Sequence, residues 1–247
     1  RHHKLLEIIE STGDDRVTAG VAPHSIRTVP HEAISQLMKQ TEGPFHLHIN
    51  EQPREISESL QEYGVRPLEV VSKAGALSKR TTLVHMTHAT GEEVKKTAQA
   101  GASICFCPST ESDLGDGIGP GKWAFEEGIN CSLGSDSQVQ INPFEEMRLL
   151  EQNERLKSQK RLVLPRGNRQ TLAQRLLDVG TTGGALSLGL TTGAIKQGNW
   201  ADFMEINLCD LDLLDAPHSS IPDIVAFSVS PRAVRGTWVE GKRDNGE

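Results

Sequence analysis

Five residues that can bind a metal or move a proton follow short apolar runs in this chain. His24 follows one run, His48 and Glu51 end the next, and His85 and Asp136 end two others. Neutral imidazole nitrogens and carboxylate oxygens are ligands that Zn²⁺ takes in proteins. A carboxylate beside such a centre can also carry a proton to a leaving group. The residue types therefore suggest metal-assisted hydrolysis if the fold brings them together.

The stretch FHLHINEQ carries two of these groups. His46 and His48 are two residues apart, so both side chains point to the same side of a strand. Glu51 follows where the strand turns into a loop and can reach over the same edge. Taken alone, Glu51 and Asp136 could equally cap helices, since SDSQVQINPFEE leads into a helical pattern. Their convergence with the histidines favours a site.

Apolar runs that alternate with helical patterns predict βα units around a parallel sheet. The predicted strands are VTAGVAP from residue 17, PFHLHIN from 44, TTLVHMT from 81, ASICFCP from 102 and INCSLGSD from 129. Folds of this kind place their chemistry at the carboxyl ends of the strands, which is where the polar residues occur. Further on, GNWADFMEINL, DIVAFSV and VRGTWVEGKR predict the short strands of a small β module. The predicted division is 1–197 and 198–247.

Composition restricts the partners. The chain has 247 residues and a net charge of -7, which argues against nucleic acid and favours a small-molecule substrate. No apolar run approaches the roughly 18 residues of a transmembrane helix, and the start of the sequence lacks the pattern of a signal peptide. These features predict a soluble, cytoplasmic protein without a membrane partner.

Four segments together resemble the amidohydrolase superfamily and, within it, the formiminoglutamate deiminases: GVAPHSIRTVP, HLHINEQPREI, CPSTESDLGDGI and GSDSQVQINP. The resemblance implies a metal-dependent (β/α)8 barrel of the TIM type, with histidines at the ends of strands five and six and an aspartate at the end of strand eight. Counting back from Asp136 makes HLHIN strand five. His48 and Asp136 are then the expected metal ligands, and His46 is expected to orient His48 or to pack inside the barrel.

The same count leaves strands one to three, with a metal-binding HxH pair, outside this sequence. The expected fold is therefore an α/β barrel that is N-terminally incomplete, about strands 4 to 8, with part of a small β-sandwich module at its C-terminus. The expected cofactor is one divalent metal in an incomplete site, with Zn²⁺ favoured over iron, manganese or nickel. Unpaired strand edges should aggregate or pair with a partner, and a homodimer is one such outcome.

The resemblance also implies a reaction and a role for each residue. N-formimino-L-glutamate would be hydrolysed by a metal-activated water to N-formyl-L-glutamate and ammonia. Asp136 would accept a proton with help from His85, and Glu51 would protonate the leaving nitrogen. Arg27 and His24 would bind the substrate carboxylates, because a guanidinium can grip a carboxylate through two parallel hydrogen bonds. The segment TESDLGDG is expected to be a shaped loop that lines the pocket.

Two other interpretations stay open at this stage. One is another deaminase of the superfamily, of the guanine or aminopurine type, in which Arg27 would have no dicarboxylate to bind. The other is a catalytically silent fragment that serves as a binding or oligomerisation module.

Overall fold

A parallel sheet of four strands forms the centre of the chain. The structure, a computed structural model, describes residues 2–14, 17–137, 140–164 and 171–244. The strands are β1 (Phe45–Ile49), β2 (Thr81–His85), β3 (Ser103–Phe106) and β4 (Cys131–Leu133), adjacent in that order and all parallel. Their carboxyl ends therefore share one edge, as the sequence predicted.

The first predicted strand is reduced to a single bridge. Val21 pairs in parallel with Phe45, and the peptide N–H of His48 donates to the carbonyl oxygen of His24 at 2.9 Å. The segment thus runs beside β1 without forming a regular strand. Pro23 gives one reason, because it has no N–H to donate to a ladder.

Helices connect the strands and continue after them. Their bounds are α1 (His2–Thr12), α2 (His31–Gln40), α3 (Pro53–Tyr63), α4 (Pro67–Lys73), α5 (Gly91–Ala100), α6 (Pro108–Asp113), α7 (Gly121–Glu126), α8 (Pro143–Ser158), α9 (Leu172–Asp178), α10 (Gly184–Ser187) and α11 (Ile221–Phe227). A π-helical turn, Val179–Gly183, joins α9 to α10. Helix α6 corrects the expectation that TESDLGDG is a loop throughout, because its first half is helical.

Cap residues fix where the helices begin and end. Thr90 accepts a hydrogen bond from the Glu93 N–H at the start of α5, and the Glu93 carboxylate accepts one from Thr90 N–H in return. This reciprocal capping box satisfies two amides that no helical carbonyl can reach. Gly64 and Gly101 end α3 and α5 with φ angles of 69° and 68°, the left-handed conformation in which glycine commonly ends a helix.

The apolar core lies between the sheet and the helices. Phe45, Leu47 and Ile49 alternate with His46 and His48 along β1, and the three apolar side chains are at most 1% exposed. The histidines therefore face the opposite side of the sheet, where a barrel has its interior.

The amino-terminal end of the sheet is closed by polar contacts to the π-helical turn and α10. His46 Nε2 donates to the carbonyl oxygen of Ser187 at 2.8 Å. Asn130 Nδ2 donates to the Gly183 carbonyl at 3.1 Å, and the hydroxyls of Ser187 and Ser132 are 3.1 Å apart. Gly183 packs so closely that an added Cβ would overlap the carbonyl oxygen of Cys131.

The tail forms a separate antiparallel sheet of β5 (Phe203–Ile206), β6 (Val234–Val239) and β7 (Lys242–Arg243). The predicted strand DIVAFSV is wrong, because these residues lie mostly in α11. Pro222 stands in the first turn of that helix, and α11 buries Val225 and Ala226 in the main core. Burial on one helical face outweighs the β propensity of this short apolar run. The division at residue 198 stays a prediction.

Among the described residues, no helix is both long and apolar enough to cross a bilayer. The cytoplasmic location and the homodimer stay predictions.

Candidate metal and catalytic site

His48, His85 and Asp136 meet at the carboxyl edge of the parallel sheet. One ligand atom from each of these residues lies within 4.8 Å of the other two. His48 and Asp136 are the ligands that the sequence predicted. The structure brings His85 into the same group, whereas the sequence interpretation gave it only a catalytic role.

The hydrogen bonds of His48 determine which of its nitrogens faces the site. Its Nδ1 lies 2.9 Å from the carbonyl oxygen of His24, which can only accept, so Nδ1 carries a proton. Its Nε2 lies 3.2 Å from Asp136 Oδ1. With Nδ1 protonated, a neutral ring presents a lone pair at Nε2. A cation between Nε2 and the carboxylate would satisfy both atoms.

His85 has one occupied nitrogen and one open nitrogen. Its Nδ1 lies 3.3 Å from Glu111 Oε1, and this buried carboxylate also accepts the Cys107 N–H at 3.1 Å. Its Nε2 is buried and has no hydrogen-bond partner among the described residues. That nitrogen lies 3.8 Å from both Asp136 Oδ2 and Glu51 Oε1. An orphaned buried nitrogen that faces carboxylates fits a metal ligand.

The charges around His85 agree with this geometry. Burial alone would lower the pKa of His85, but the hydrogen bond and charge of Glu111, followed by Glu51 and Asp136, raise it above its ordinary value. The surroundings therefore favour positive charge at this position, on the ring or on a bound cation.

A change of backbone direction places His85 over the site. Leu83 on β2 is fully buried in the core, and strict alternation would send His85 to the same side. Instead His85 and Met86 have φ angles of 74° and 56°. Asp136 is also left-handed, with φ 43°. Such conformations cost of order 1–3 kcal/mol for residues other than glycine and are concentrated at functional sites.

The loops that leave β1 and β2 are hydrogen-bonded to each other. Met86 N–H donates to the Ile49 carbonyl at 3.1 Å, and His88 N–H donates to the Asn50 carbonyl at 2.8 Å. Glu93 joins this pair of loops, because its carboxylate accepts from Asn50 Nδ2 at 3.3 Å. The ladder of backbone hydrogen bonds between β1 and β2 thus continues beyond the ends of the two strands.

Glu51 lies beside the candidate group of His48, His85 and Asp136, which is called the metal group below. It is 6% exposed, its N–H donates to Glu55 Oε2 at 2.9 Å, and its carboxylate forms an ion pair with the guanidinium of Arg27. Ser25 is buried and accepts from Arg27 Nε at 3.2 Å. These contacts hold Glu51 and Arg27 at the rim, so the structure brings together both residues that the sequence predicted there.

His24 lies on the same rim. Its ring centroid is 4.9 Å from that of His48, and its Nδ1 is 2.9 Å from Ser25 Oγ. Burial, followed by the electrostatic influence of His48 and Arg27, lowers the pKa of His24. The lowered pKa favours the neutral imidazole, so His24 is better suited to hydrogen bonding than to carrying a charge.

One acidic residue at the site was missed as a supporting group by sequence reasoning. Glu111 supports His85 through its contact with Nδ1. It occurs in TESDLGDG, which the sequence interpretation treated as a loop that lines the pocket. Pro108 was the available signal, since proline is favoured in the first turn of a helix and would have placed Glu111 on α6.

The fold is that of an α/β barrel protein, with a candidate metal group at the carboxyl edge of its parallel sheet. A model of the amidohydrolase family matches residues 2–243, and the chain belongs to this family. The predicted fold class is confirmed as the α/β amidohydrolase fold, with a parallel sheet and a small antiparallel sheet.

Similar proteins include two curated deaminating enzymes. Formimidoylglutamate deiminase of Pseudomonas aeruginosa is 34% identical over 225 residues, which cover 90% of this chain and 50% of that protein. 5-Methylthioadenosine/S-adenosylhomocysteine deaminase of Halobacterium salinarum is 30% identical over 239 residues, which cover 93% and 52%. The chain thus spans about half the length of the curated relatives it matches.

Among solved structures, an adenosine deaminase from Xanthomonas campestris with bound zinc superposes with a TM-score of 0.84 at 26% identity. The match covers 93% of this chain and 52% of that one. An amidohydrolase from Brucella melitensis gives a TM-score of 0.80 at 32% identity, covering 91% and 49%. The roles of the individual site residues stay predictions.

Proposed function

We propose that this chain forms part of a hydrolase that cleaves the terminal carbon–nitrogen bond of an amidine, with N-formimino-L-glutamate as the substrate. The products would be N-formyl-L-glutamate and ammonia. The observation that carries the proposal is the convergence of His48, His85 and Asp136 beside Glu51 and its partner Arg27. The 34% identity with a formimidoylglutamate deiminase supports the choice of substrate.

The donor set suits a divalent cation. His48, His85 and Asp136 would hold it, with zinc favoured by two imidazoles and one carboxylate. Such a cation supplies a nucleophile at neutral pH, because it lowers the pKa of water.

The proton transfers fall to the side chains around this group. Asp136 Oδ2 would accept a proton from the attacking water, while His85, whose Nε2 is 3.8 Å away, would take part by holding the cation. Glu51 Oε1, at the same distance from His85 Nε2, would take up a proton released by the attacking water and pass it to the nitrogen that leaves as ammonia. Water adds to the carbon as ammonia departs, so the atoms balance.

Arg27 is the group proposed to recognise a substrate carboxylate. Its Nε bonds to Ser25 and one Nη2 hydrogen to Glu51, while Nη1 makes no hydrogen bond with the described residues. The Arg27 side chain is 24% exposed, so solvent and a ligand can reach the guanidinium. His24 can add a neutral hydrogen bond beside it.

A second candidate function is deamination of an aminopurine nucleoside. The relative named 5-methylthioadenosine/S-adenosylhomocysteine deaminase, at 30% identity, supports it. An open guanidinium at the rim favours the dicarboxylate substrate, because a neutral purine offers it no carboxylate.

Equilibrium binding and ammonia release, both with added zinc, test the proposal. We expect N-formyl-L-glutamate to bind, and ammonia to be released from N-formimino-L-glutamate in preference to 5′-methylthioadenosine. Arg27→Gln should weaken the binding of N-formyl-L-glutamate by about tenfold or more, the size of one charge-assisted pair.

Arg54→Gln is the matched control, because Arg54 is an exposed arginine on α3 whose ion pair is with Glu58. It should leave the binding of N-formyl-L-glutamate unchanged. Preference for 5′-methylthioadenosine, or equal effects of the two arginine variants, would overturn the assignment.

A further inference from the structure

The chain leaves β2 in an unfavourable backbone conformation. His85 ends the strand and Met86 follows it, with φ angles of 74° and 56°. Left-handed residues other than glycine persist when the surrounding structure over-determines them. This conformation brings His85 Nε2 to 3.8 Å from Asp136 Oδ2. Whatever fixes the turn at residues 85–88 therefore also fixes a ligand atom of the metal group.

His88 is hydrogen-bonded to three other parts of the chain at the end of this turn. Its N–H donates at 2.8 Å to the carbonyl of Asn50, in the loop after β1. Its carbonyl accepts at 2.7 Å from Nη2 of Arg66, which directly precedes α4. Its ring Nε2 donates at 2.8 Å to the carbonyl of Asp116, in the loop after α6. One residue thus links the loops that follow β1, β2 and α6.

The guanidinium that holds the His88 carbonyl is itself anchored by a buried carboxylate. Arg66 Nε donates to Glu93 Oε2 at 3.0 Å, and Glu93 is 8% exposed. The other oxygen of Glu93 accepts from Asn50 Nδ2 at 3.3 Å. The contact with His88 is therefore fixed in direction, because the partner of Arg66 is bonded to the loop after β1 as well.

Two glycines let the loop after α6 lie directly on the turn. An added Cβ on Gly119 would be 3.4 Å from the carbonyl oxygen of His85. One on Gly117 would be 3.8 Å from Cε1 of the His88 ring. Gly117 also has a φ of +120°, a conformation that side chains disfavour. The close approach of this loop brings the Asp116 carbonyl within reach of the His88 ring.

We propose that His88 is a positioning residue for His85. Its ring and its backbone groups hold the turn in the left-handed conformation that directs His85 Nε2 toward the metal group. His88 is outside that group of ligand atoms, so it acts through the backbone and not as a ligand. The inference rests on the metal group of the proposed function and does not depend on which substrate the protein binds.

Two substitutions of His88 separate the hydrogen bond of the ring from its bulk. His88→Leu removes the donor to the Asp116 carbonyl, so zinc binding should weaken by about tenfold, as expected when a group that supports a metal ligand is lost. His88→Gln offers an amide N–H in place of Nε2 and should keep the zinc affinity within about twofold of the wild type. Competition with a chelator gives the zinc dissociation constants.

His46→Leu is the matched control, because His46 makes the same kind of contact at the other end of the sheet. Its Nε2 also donates to a main-chain carbonyl at 2.8 Å, that of Ser187. Both leucine variants should lose similar stability in urea unfolding, whereas His88→Leu alone should lose zinc affinity. Unchanged zinc affinity in His88→Leu, an equal loss in His46→Leu, or no recovery in His88→Gln would overturn the inference.

A second measurement needs no metal and keeps the two proposals apart. The backbone ¹³C chemical shifts of His85 and Met86 report their left-handed conformation, and without zinc they should change in His88→Leu and return in His88→Gln. If they do so while the wild type fails to bind zinc, positioning by His88 stands and the metal group is wrong. If the wild type binds zinc and these shifts are the same in all three chains, the metal group stands and the inference is wrong.

Discussion

His46 and His48, two residues apart on β1, have opposite surroundings. His46 Nε2 donates to the Ser187 carbonyl at the amino end of the sheet, whereas His48 Nε2 faces the Asp136 carboxylate at the carboxyl end. The whole sheet repeats the contrast. Polar side chains at the amino end are paired with one another, and those at the carboxyl end include buried atoms without partners among the described residues. One end is built for stability and the other for binding.

The backbone carries the same difference. Asn50, His85, Met86 and Asp136 have positive φ angles, and all four follow or end strands at the carboxyl edge. None of the described residues that lead into the four strands is a non-glycine residue with positive φ. Strain is therefore tolerated where the side chains must be aimed at a common point.

The largest effect that we expect lies at the amino end. Gly183→Ala should lower the free energy of unfolding by about 3 kcal/mol, because the new Cβ overlaps the Cys131 carbonyl and must displace backbone. Gly184→Ala is the control, since open space surrounds that glycine. It should stabilise the chain by about 0.5–1 kcal/mol through helix propensity. Urea unfolding measures the free energy of unfolding of both variants. A change of the same sign in the two would contradict the close packing of the π-helical turn on β4.

At the carboxyl end the effect should fall on metal affinity. Asp136→Ala removes one of three ligand atoms and should weaken zinc binding by about 100-fold, more than the loss of a supporting group costs. Competition with a chromophoric chelator gives the dissociation constant. Asp113→Ala serves as the control on an exposed aspartate, and the same zinc affinity in both variants would rule out the proposed ligand set.

A smaller effect is expected one contact further from the metal group. Glu111→Gln should weaken zinc binding by about tenfold, because Glu111 orients His85 through Nδ1. Glu146→Gln is a suitable control: Glu146 is also a buried carboxylate and anchors the same helix by accepting the Ser109 N–H at 3.0 Å. A similar loss in both variants would mean that the position of α6, and not the contact with His85, sets the affinity.

The smallest effect sharpens the contrast between the two histidines. His46→Ala should cost about 1 kcal/mol of stability, the net value of one hydrogen bond, and leave zinc affinity unchanged. The two quantities are read from urea unfolding and from the chelator competition. A large loss of zinc affinity would show that His46 belongs to the metal group and that the two ends of the sheet are less distinct than the geometry indicates.

Hydrophobic periodicity was enough to predict four strands, the alternation of strands with helices and the edge at which the polar residues meet. It failed at DIVAFSV, because a short run of β-branched and apolar residues has no period that separates a strand from a buried helix. The first strand was over-extended because the pattern ignores the missing N–H of Pro23. Both errors concern segments whose structure depends on packing against distant parts of the chain.

The site residues also fall into those that the sequence could place and those that only the fold brings together. His48, Glu51 and Asp136 could be placed at this edge from the sequence, because they lie at or just after the ends of apolar runs. The inclusion of His85 among the ligand atoms depends on a left-handed backbone at two successive residues, which no local pattern announces. Glu111 becomes relevant only when α6 packs against the end of β2, so its contact with His85 could not be predicted from spacing.

The ladder that joins the loops after β1 and β2 has a consequence for the entropy of binding. The amides of Met86 and His88 are bonded to the Ile49 and Asn50 carbonyls, as though the strands continued. In hydrogen–deuterium exchange these amides should open together with the sheet as one cooperative unit, and not with the fast kinetics of a surface loop. A ligand that binds here would therefore meet groups that folding has already ordered, and its affinity would not be reduced by the cost of immobilising them.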